Sequence, residues 1–190
     1  MASSSTRKIK CVTVGISGAG KTSLVTRMFR NAFSAFEEAT IGASFLSVRR
    51  GETTLDMWDT AGQERYGTLL PMYLRGTDVA LIIVSSESPR PKVEFERWSE
   101  VVRSQSPGCH LVRITTKMDC APDDFDKSCW ASDFYTSALT GDNCEDVITY
   151  ILNLPPVMHE EDGHGTTLHL DRRSLLENKS SRSCSECVVC

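Results

Sequence analysis

Apolar and polar positions alternate with two different periods along residues 8–152. Short runs rich in β-branched residues predict strands, namely Ile9–Val14, Ser44–Val48, Thr53–Trp58, Val79–Val84, Leu111–Thr115 and Phe134–Ser137. Longer stretches with an apolar stripe predict helices, namely Lys21–Arg30, Val93–Ser104 and Cys144–Leu152. The turn residues Arg49–Glu52 predict a tight hairpin between the second and third strands. This alternation of strands and helices predicts an α/β fold with helices on both faces of a sheet.

The pattern ends at Leu154, where Pro155 and Pro156 stop the last helix. The following residues are mostly Ser, Glu, Arg and His, a composition typical of a flexible tail. The sequence therefore predicts a folded domain over residues 1–154 and a tail over residues 155–190. The tail histidines could bind a metal, but solvated side chains are the favoured interpretation; they are His159, His164 and His169.

Composition and charge narrow the class of protein. The chain has 190 residues, 40% hydrophobic and 24% charged, with a net charge of −4, as is typical of a globular domain. It lacks a basic stripe, so no nucleic-acid partner is expected. No signal peptide or myristoylation glycine begins the chain, and no apolar run is long enough to cross a bilayer. We expect folding in the cytosol, with free thiols at Cys11, Cys109, Cys120, Cys129 and Cys144.

The strongest motif is Gly15–Thr22, which matches the phosphate-binding pattern G-x-x-x-x-G-K-[ST] between a predicted strand and a predicted helix. Its backbone amides and the helix N-terminus favour phosphate oxygens. The Lys21 ammonium is expected on the β- and γ-phosphates, and the Thr22 hydroxyl on Mg²⁺. A glycine-rich turn with a coincidental lysine fits this context poorly. The predicted phosphate contacts are Ser17, Gly18, Ala19, Gly20, Lys21, Thr22 and Ser23.

Asp59-Thr-Ala-Gly-Gln-Glu64 resembles switch II of the Ras-like small GTPases. The resemblance implies a P-loop NTPase with the small GTPase fold, a mostly parallel six-stranded sheet. It also implies that Asp59 holds Mg²⁺ through a water, that the Gly62 amide contacts the γ-phosphate and that Gln63 orients the attacking water. An amide side chain suits that last role, because it can both accept and donate a hydrogen bond.

Thr40-Ile41-Gly42 resembles switch I of the same family. The resemblance implies that Thr40 gives its hydroxyl to Mg²⁺ and its amide to the γ-phosphate, contacts that exist only with a third phosphate present. The segment would then have one state with GTP and another with GDP. Phe33 matches the aromatic residue that the family stacks on guanine. Lys21, Thr40 and Gln63 are the expected catalytic residues.

Base choice depends on two further motifs. Thr116-Lys117-Met118-Asp119 resembles the family's N-K-x-D, in which the Asp carboxylate accepts from the guanine N1–H and exocyclic amine. Ser137-Ala138-Leu139 resembles its S-A-K loop, with the Ala138 amide expected on the guanine O6. Thr116 replaces the usual Asn and Leu139 the usual Lys, as in Rho and Rac proteins, so a modest weakening of the base site is expected.

The residues flanking the switches resemble the Rab family, especially its early-endosomal branch. The resemblance implies an effector surface, formed by Phe45, Trp58, Tyr66, Leu69, Met72 and Tyr73. These side chains could instead fill the core beneath the switch, and Phe45 and Trp58 are expected to do some of each. The expected partners are a GTPase-activating protein, an exchange factor, a GDP-dissociation inhibitor and effectors, acting on a monomer in vesicle trafficking.

Three segments depart from the Rab pattern, and one of them is the Arg49–Glu52 hairpin, which is a few residues shorter than is typical. Val84-Ser85-Ser86 stands where a Tyr-Asp pair is usual, and residues 120–136 are too few for a full crossover helix. One or two helical turns near Asp123–Ser128, or none, are predicted there. These departures leave open an alternative, a GTP-binding module that docks effectors with little hydrolysis. A P-loop kinase that uses ATP conflicts with Asp119 and with the switch II motif.

The last residues carry candidate lipid sites. Cys187-Val-Val-Cys190 fits a prenylation motif with an unusual final residue, and Rab proteins often carry two prenyl groups. Two lipids anchor a protein stably where one does not, so Cys187 and Cys190 are the predicted lipid sites. Cys184 is a candidate for acylation, and a zinc site at Cys184 and Cys187 lacks companion ligands. The expected location is the cytosolic face of an early endosome, with a soluble cytosolic pool.

Overall fold

The computed structural model describes residues 6–62 and 69–159, and the fold is reported for these residues. Its core is a six-stranded sheet in the order β2-β3-β1-β4-β5-β6. The strands are β1 (Arg7–Val14), β2 (Ala43–Arg50), β3 (Thr53–Thr60), β4 (Val79–Ser85), β5 (His110–Thr116) and β6 (Phe134–Tyr135). Strand β2 is antiparallel to β3 and every other pair is parallel. The predicted mostly parallel sheet is confirmed.

Four α-helices accompany the sheet in the described residues: α1 (Lys21–Arg30), α2 (Leu70–Leu74), α3 (Pro91–Gln105) and α4 (Cys144–Asn153). Helices α1, α3 and α4 occupy the predicted segments. Helix α2 was not predicted as a helix, because five residues are too few to show a helical apolar period. In the described residues no helix is both long and apolar enough to span a membrane.

The two faces of the sheet carry separate apolar cores, as the helices on both faces require. Residues of α1 and α4, including Leu24 and Ile148, pack with one side of the strands. Residues of α2 and α3, including Leu74 and Phe95, pack with the other side. Strand β4 occupies the segment predicted as a strand, and all seven of its residues are buried. It lies between β1 and β5, so its carboxyl end is in the middle of the sheet.

The β2–β3 hairpin confirms the prediction made from Arg49–Glu52. Arg50 pairs with Thr53, so the turn itself contains two residues. Gly51 has φ +60°, a conformation that glycine adopts without a steric penalty. The hairpin extends the sheet on the side away from β4.

The crossover between β5 and β6 contains no full helix. A 3₁₀ turn at Lys127–Cys129 overlaps the end of the predicted helical segment. Aromatic contacts stabilise the rest, with ring centroids 4.8 Å apart for Phe125 and Trp130 and 6.1 Å apart for Phe125 and Tyr135. Trp130 also packs against the core on the α3 side. The short segment thus covers the sheet edge with large side chains in place of a helix.

The described residues after α4 lie against the domain. The His110 Nε2 is 3.0 Å from the Pro155 carbonyl oxygen, and the His159 Nε2 is 2.9 Å from Asp78 Oδ1. The compact unit therefore reaches His159, beyond the predicted boundary at Leu154. His159 is exposed, as expected of a solvated side chain, although its ring also meets Asp78. Residues 160–190, which include His164, His169 and the candidate lipid sites, lie outside the described residues.

The thiols in the described part of the chain are not paired in disulfides. Cys11, Cys109, Cys120 and Cys144 are all free, and burial raises the pKa of the Cys109 and Cys144 thiols to about 11. The free-thiol expectation is confirmed for these four residues.

Candidate nucleotide-binding site

A cavity of about 410 Å³ opens at the carboxyl ends of β1, β4 and β5. Strands β1 and β4 are neighbours, and the chain leaves them toward opposite edges of the sheet, which is where ligands of open α/β sheets bind. The predicted residues that line the cavity are Ser17, Gly18, Gly20, Lys21, Thr22, Ser23, Phe33, Thr40, Gly62, Thr116, Lys117, Asp119, Ala138 and Leu139.

Two predicted nucleotide contacts are absent from the cavity lining. Ala19 is 1% exposed, and its carbonyl accepts a hydrogen bond from the Thr116 hydroxyl at 2.5 Å. Ser137 is also 1% exposed, and its hydroxyl donates to Asp119 Oδ1 at 2.5 Å. Ala19 and Ser137 thus do not face the cavity but form hydrogen bonds to Thr116 and Asp119, which line it.

The phosphate loop passes so close to β4 that it requires a glycine. A Cβ on Gly15 would lie 2.3 Å from the Ile83 carbonyl oxygen, and Gly15 has φ +150°. Downstream, Gly20 adopts a left-handed conformation as the N-cap of α1. The loop therefore turns sharply between strand and helix, and this directs the N-terminus of α1 at the cavity.

Lys21 is the buried cation of this loop, with 6% of its surface exposed. Its Nζ donates to the carbonyl oxygens of Gly15 at 3.0 Å and Ile16 at 2.8 Å. Burial lowers the pKa of Lys21 to about 8, and the Asp59 carboxylate acts in the opposite direction. Because burial disfavours its charged form, the protonation of this ammonium depends on whether an anion lies beside it.

The three predicted metal-binding residues meet at one point. The Thr22 hydroxyl is 2.8 Å from the Thr40 hydroxyl and 2.7 Å from Asp59 Oδ2. Thr13 donates to the other Asp59 oxygen at 3.1 Å. Asp59 is 1% exposed, and burial raises its pKa. Hydroxyl and carboxylate oxygens are the donors that Mg²⁺ prefers, so these residues fit that ion.

Gly62 covers the phosphate loop from the other side. A Cβ at this position would lie 2.3 Å from Lys21 Nζ and 2.5 Å from the Ile16 carbonyl carbon and oxygen. The Gly62 backbone thus occupies space that no other residue type could share. Gln63 and Tyr66, which follow it in switch II, lie outside the described residues.

The base end of the cavity centres on Asp119, an exposed carboxylate after β5. Burial raises its pKa, whereas hydrogen bonds from Ser137 and Cys120 lower it, and the net change is a lowering. Asp119 is therefore an ionised acceptor at neutral pH. Phe33 is 38% exposed and Leu139 is 50% exposed, and both line the same cavity.

Motif matching missed several contacts at this end. The Ser86 hydroxyl donates to the Lys117 carbonyl at 2.7 Å, and Lys117 Nζ lies 2.9 Å from Glu87 Oε2. Cys120 lines the cavity and its Sγ donates to Asp119 Oδ2 at 3.3 Å. Ser86 belongs to Val84-Ser85-Ser86, which departs from the Rab pattern, and Cys120 comes directly after the Thr116–Asp119 motif. Their proximity to the base site follows from the parallel pairing of β4 with β5.

Aromatic side chains form a surface beside the switches. The ring centroids of Phe45 and Trp58 are 5.0 Å apart, and those of Trp58 and Tyr73 are 5.5 Å apart. Trp58 and Tyr73 also pack against the core on the α2 and α3 side, whereas Phe45 is 49% exposed. Leu69 and Met72 are 38% and 64% exposed. The described residues of this surface thus combine core packing with exposed apolar area.

The strand–loop–helix phosphate site and the sheet order together define a P-loop protein with the small GTPase fold. Residues 10–119 match the family model described as Ras of Complex, Roc, domain of DAPkinase. Ras-related protein RABF2a of Arabidopsis thaliana is 34% identical over 186 residues, which cover 88% of this chain and 92% of the relative. Ras-related protein Rab-5A of Dictyostelium discoideum is 40% identical over 119 residues, 60% of this chain and 59% of the relative. Ras-related protein Rab5 of Nicotiana tabacum is 41% identical over 100 residues, half of each chain.

The chain belongs to the Rab family of Ras-related GTPases, in its Rab5-type, early-endosomal branch. The family assignment made from the switch motifs is confirmed, and so is the activity class, hydrolysis of GTP.

Proposed function

We propose that this protein is a switch that binds GTP with Mg²⁺, hydrolyses it with help from a partner, and recruits effectors to the early-endosomal membrane for vesicle trafficking. The observation that carries the proposal is one cavity with an ionised carboxylate at one end and a buried lysine with two hydroxyls at the other, where the Asp59 carboxylate lies directly behind the Thr22 hydroxyl. A guanine base and a triphosphate need these two ends together.

The phosphate end supplies charge neutralisation and positioning. Lys21 exchanges its bonds with the Gly15 and Ile16 carbonyls for the β- and γ-phosphates of GTP. Thr22, Thr40 and Asp59 would hold Mg²⁺, which when bound would neutralise charge on the phosphate oxygens. Thr40 and Gly62 approach the third phosphate from opposite sides, so these segments sense whether it is present.

Gln63 orients the attacking water in this proposal, because a glutamine amide can accept from the water and donate to the γ-phosphate. A GTPase-activating protein is expected to add an arginine, a recurring means of stabilising the transition state of GTP hydrolysis. The Gln63→Leu variant should hydrolyse GTP much more slowly in single-turnover assays with the partner. An unchanged rate would rule out this role for Gln63.

The aromatic surface defined by Phe45, Trp58, Leu69, Met72 and Tyr73 is the proposed effector site. Phe45 lies on β2, which begins at Ala43, three residues after Thr40. A rearrangement of Thr40 on GTP hydrolysis therefore reaches this surface directly. An exchange factor and a GDP-dissociation inhibitor are the other partners expected for a Rab protein.

Prenyl groups on Cys187 and Cys190 are the proposed membrane anchor. Two such chains give stable attachment where a single chain gives only marginal attachment. Mass spectrometry of the C-terminal peptide from native cells should find prenyl groups, and the Cys187→Ser, Cys190→Ser double variant should become soluble in the cytosol. A double variant that stays on endosomes would exclude this anchor.

Identification of the bound nucleotide tests the central proposal. Protein purified with Mg²⁺ and heated should release GDP or GTP, which chromatography distinguishes from adenine nucleotides. The Asp119→Ala variant should release far less guanine nucleotide. Adenine nucleotide in the wild-type eluate would overturn the assignment of the base.

A further inference from the structure

Arg27 links helix α1 to the loop that meets the guanine. Its Nε donates to the Ala138 carbonyl at 2.6 Å, and its Nη2 donates to the Leu139 carbonyl at 2.9 Å. The two partners lie more than a hundred residues away in sequence. No motif pointed to this residue, whose side chain is half-buried in the last turn of α1.

The base loop needs such a support because its expected contact with guanine is a backbone amide. Ala138 has no side chain that could fix the position of its own peptide. Within the loop, the Gly141 amide donates to the Ser137 carbonyl at 2.8 Å, which closes the turn but does not attach it to the phosphate side of the site. The two bonds from Arg27 attach this loop to α1. They do so through the Ala138 and Leu139 carbonyls, which adjoin the Ala138 amide expected on guanine.

The guanidinium is itself held in place. Its Nη1 lies 3.2 Å from both the carbonyl and the side-chain oxygen of Asn31, the left-handed residue that ends α1. Gly141 approaches the aliphatic part of the side chain, since a Cβ there would be 3.8 Å from Arg27 Cδ. A planar fork with several donors suits this arrangement, and a lysine could not form all of these bonds together.

We propose that Arg27 is a positioning residue for guanine recognition, which fixes the Ala138–Leu139 carbonyls relative to α1. The N-terminus of α1 carries Lys21 and Thr22, and its last turn carries Arg27, so one helix of ten residues joins the phosphate site to the base loop. This inference rests on the guanine-binding function proposed above. It adds that the two ends of the nucleotide site are coupled through α1.

The test compares the dissociation of fluorescently labelled GDP and 6-thio-GDP from wild type, Arg27→Gln, Arg27→Lys and Arg30→Gln. Arg30 lies on the same turn with an exposed side chain, so Arg30→Gln removes the same charge as a matched control. The dissociation rate is measured only on protein that already holds the labelled nucleotide. A variant that folds in lower yield therefore gives a weaker signal but the same rate constant. The thio analogue weakens the acceptor that faces the Ala138 amide.

We expect Arg27→Gln to release GDP about tenfold faster than wild type, because the two lost hydrogen bonds hold the Ala138–Leu139 backbone and do not contact the nucleotide themselves. Arg27→Lys should lie between them, and Arg30→Gln should match wild type. Wild type should release 6-thio-GDP faster than GDP, and Arg27→Gln should reduce that difference. A general loss of stability would accelerate both nucleotides equally, so an unchanged ratio would overturn the positioning role.

Two negative results have different meanings. If wild type retains GDP no longer than ADP, guanine recognition is wrong and the role of Arg27 falls with it. If wild type retains GDP and Arg27→Gln releases it at the rate of Arg30→Gln, the positioning role alone is wrong.

Discussion

The phosphate end and the base end of the nucleotide site are built in different ways. The phosphate end uses buried side chains from sequence motifs, with Lys21 6% exposed and Asp59 1% exposed. The base end presents an exposed Asp119 and the backbone of Ala138, which other elements hold in place. The residues that meet the nucleotide belong to motifs at both ends, whereas Arg27, which holds the base loop in place, belongs to none.

The difference also explains why departures from the family pattern concentrate at the base end. A backbone amide does not depend on its own side chain, so Leu139 can replace lysine beside it. Thr116 keeps a link to the phosphate loop through its bond to the Ala19 carbonyl. The phosphate end has less freedom, because its cation and metal-type oxygens are particular side chains and its backbone requires glycine at Gly15 and Gly62.

Removal of the buried cation should produce the largest effect. Lys21→Met keeps most of the side-chain volume but removes the ammonium, which leaves Mg²⁺ as the remaining cation beside the phosphates. We expect the Kd for GTP to rise about a thousandfold, because the charge-assisted bonds from Lys21 to both the β- and γ-phosphates are lost. Isothermal titration calorimetry measures this change. Thermal unfolding of the nucleotide-free variant should show no loss of stability, and a large loss would mean that misfolding causes the weak binding.

Alkaline pH should weaken nucleotide binding by a smaller amount. Burial lowers the pKa of Lys21 to about 8, and bound phosphate must raise it, so binding takes up a proton above that pH. We expect the affinity for GDP to be constant from pH 7 to about 8 and then to fall by up to tenfold per unit. The same titration of Lys21→Arg, which stays charged, should be flatter. Identical profiles for the two proteins would contradict the assignment to Lys21.

The lowered pKa of Lys21 affects folding stability and nucleotide affinity in opposite directions as the pH rises. The ordinary pKa of lysine is 10.5, so the unfolded chain binds more protons than the nucleotide-free fold between pH 8 and 10.5. The contribution of Lys21 to the free energy of unfolding therefore rises with pH over that window.

Thr116→Val should have a moderate effect that tests the link between the two ends. The substitution preserves the shape of a fully buried residue but leaves the Ala19 carbonyl without its 2.5 Å partner. We expect GDP to dissociate about fivefold faster, from the loss of a single buried hydrogen bond. Thr115→Val is the matched control, because Thr115 bonds Ser132 at 2.5 Å and has no contact with the phosphate loop. Equal acceleration in both variants would indicate a general effect on β5.

The Glu87–Lys117 ion pair should matter least. The two side chains are 54% and 38% exposed, and exposed pairs contribute little because water and salt screen them. We expect Glu87→Gln to change GDP dissociation by less than about threefold at physiological salt. Stopped-flow measurements at low and high salt should show the difference shrinking as salt rises. A larger, salt-independent effect would place Glu87 in the nucleotide contacts themselves.

Most of the fold could be predicted from the spacing of apolar residues, because strands and helices of more than about one turn leave a clear apolar period in the sequence. Helix α2 was not predicted because its five residues are too few to show an apolar period. The contacts of His159 with Asp78 and of Pro155 with His110 escaped because a Pro-rich, polar segment carries no apolar period, although its groups can still find partners on the surface.

The sequence by itself determined the phosphate loop, the metal-type oxygens and the acidic base reader, since each of these roles demands a particular residue at a particular spacing. Only the tertiary structure decided what holds the base end and links it to the phosphate loop, because Arg27, Ser86 and Thr116 act on backbone carbonyls. A carbonyl is present in every residue and therefore leaves no mark in a sequence. The parallel pairing of β4 with β5, and the contact of α1 with the loop after β6, bring these donors to the carbonyls that they support.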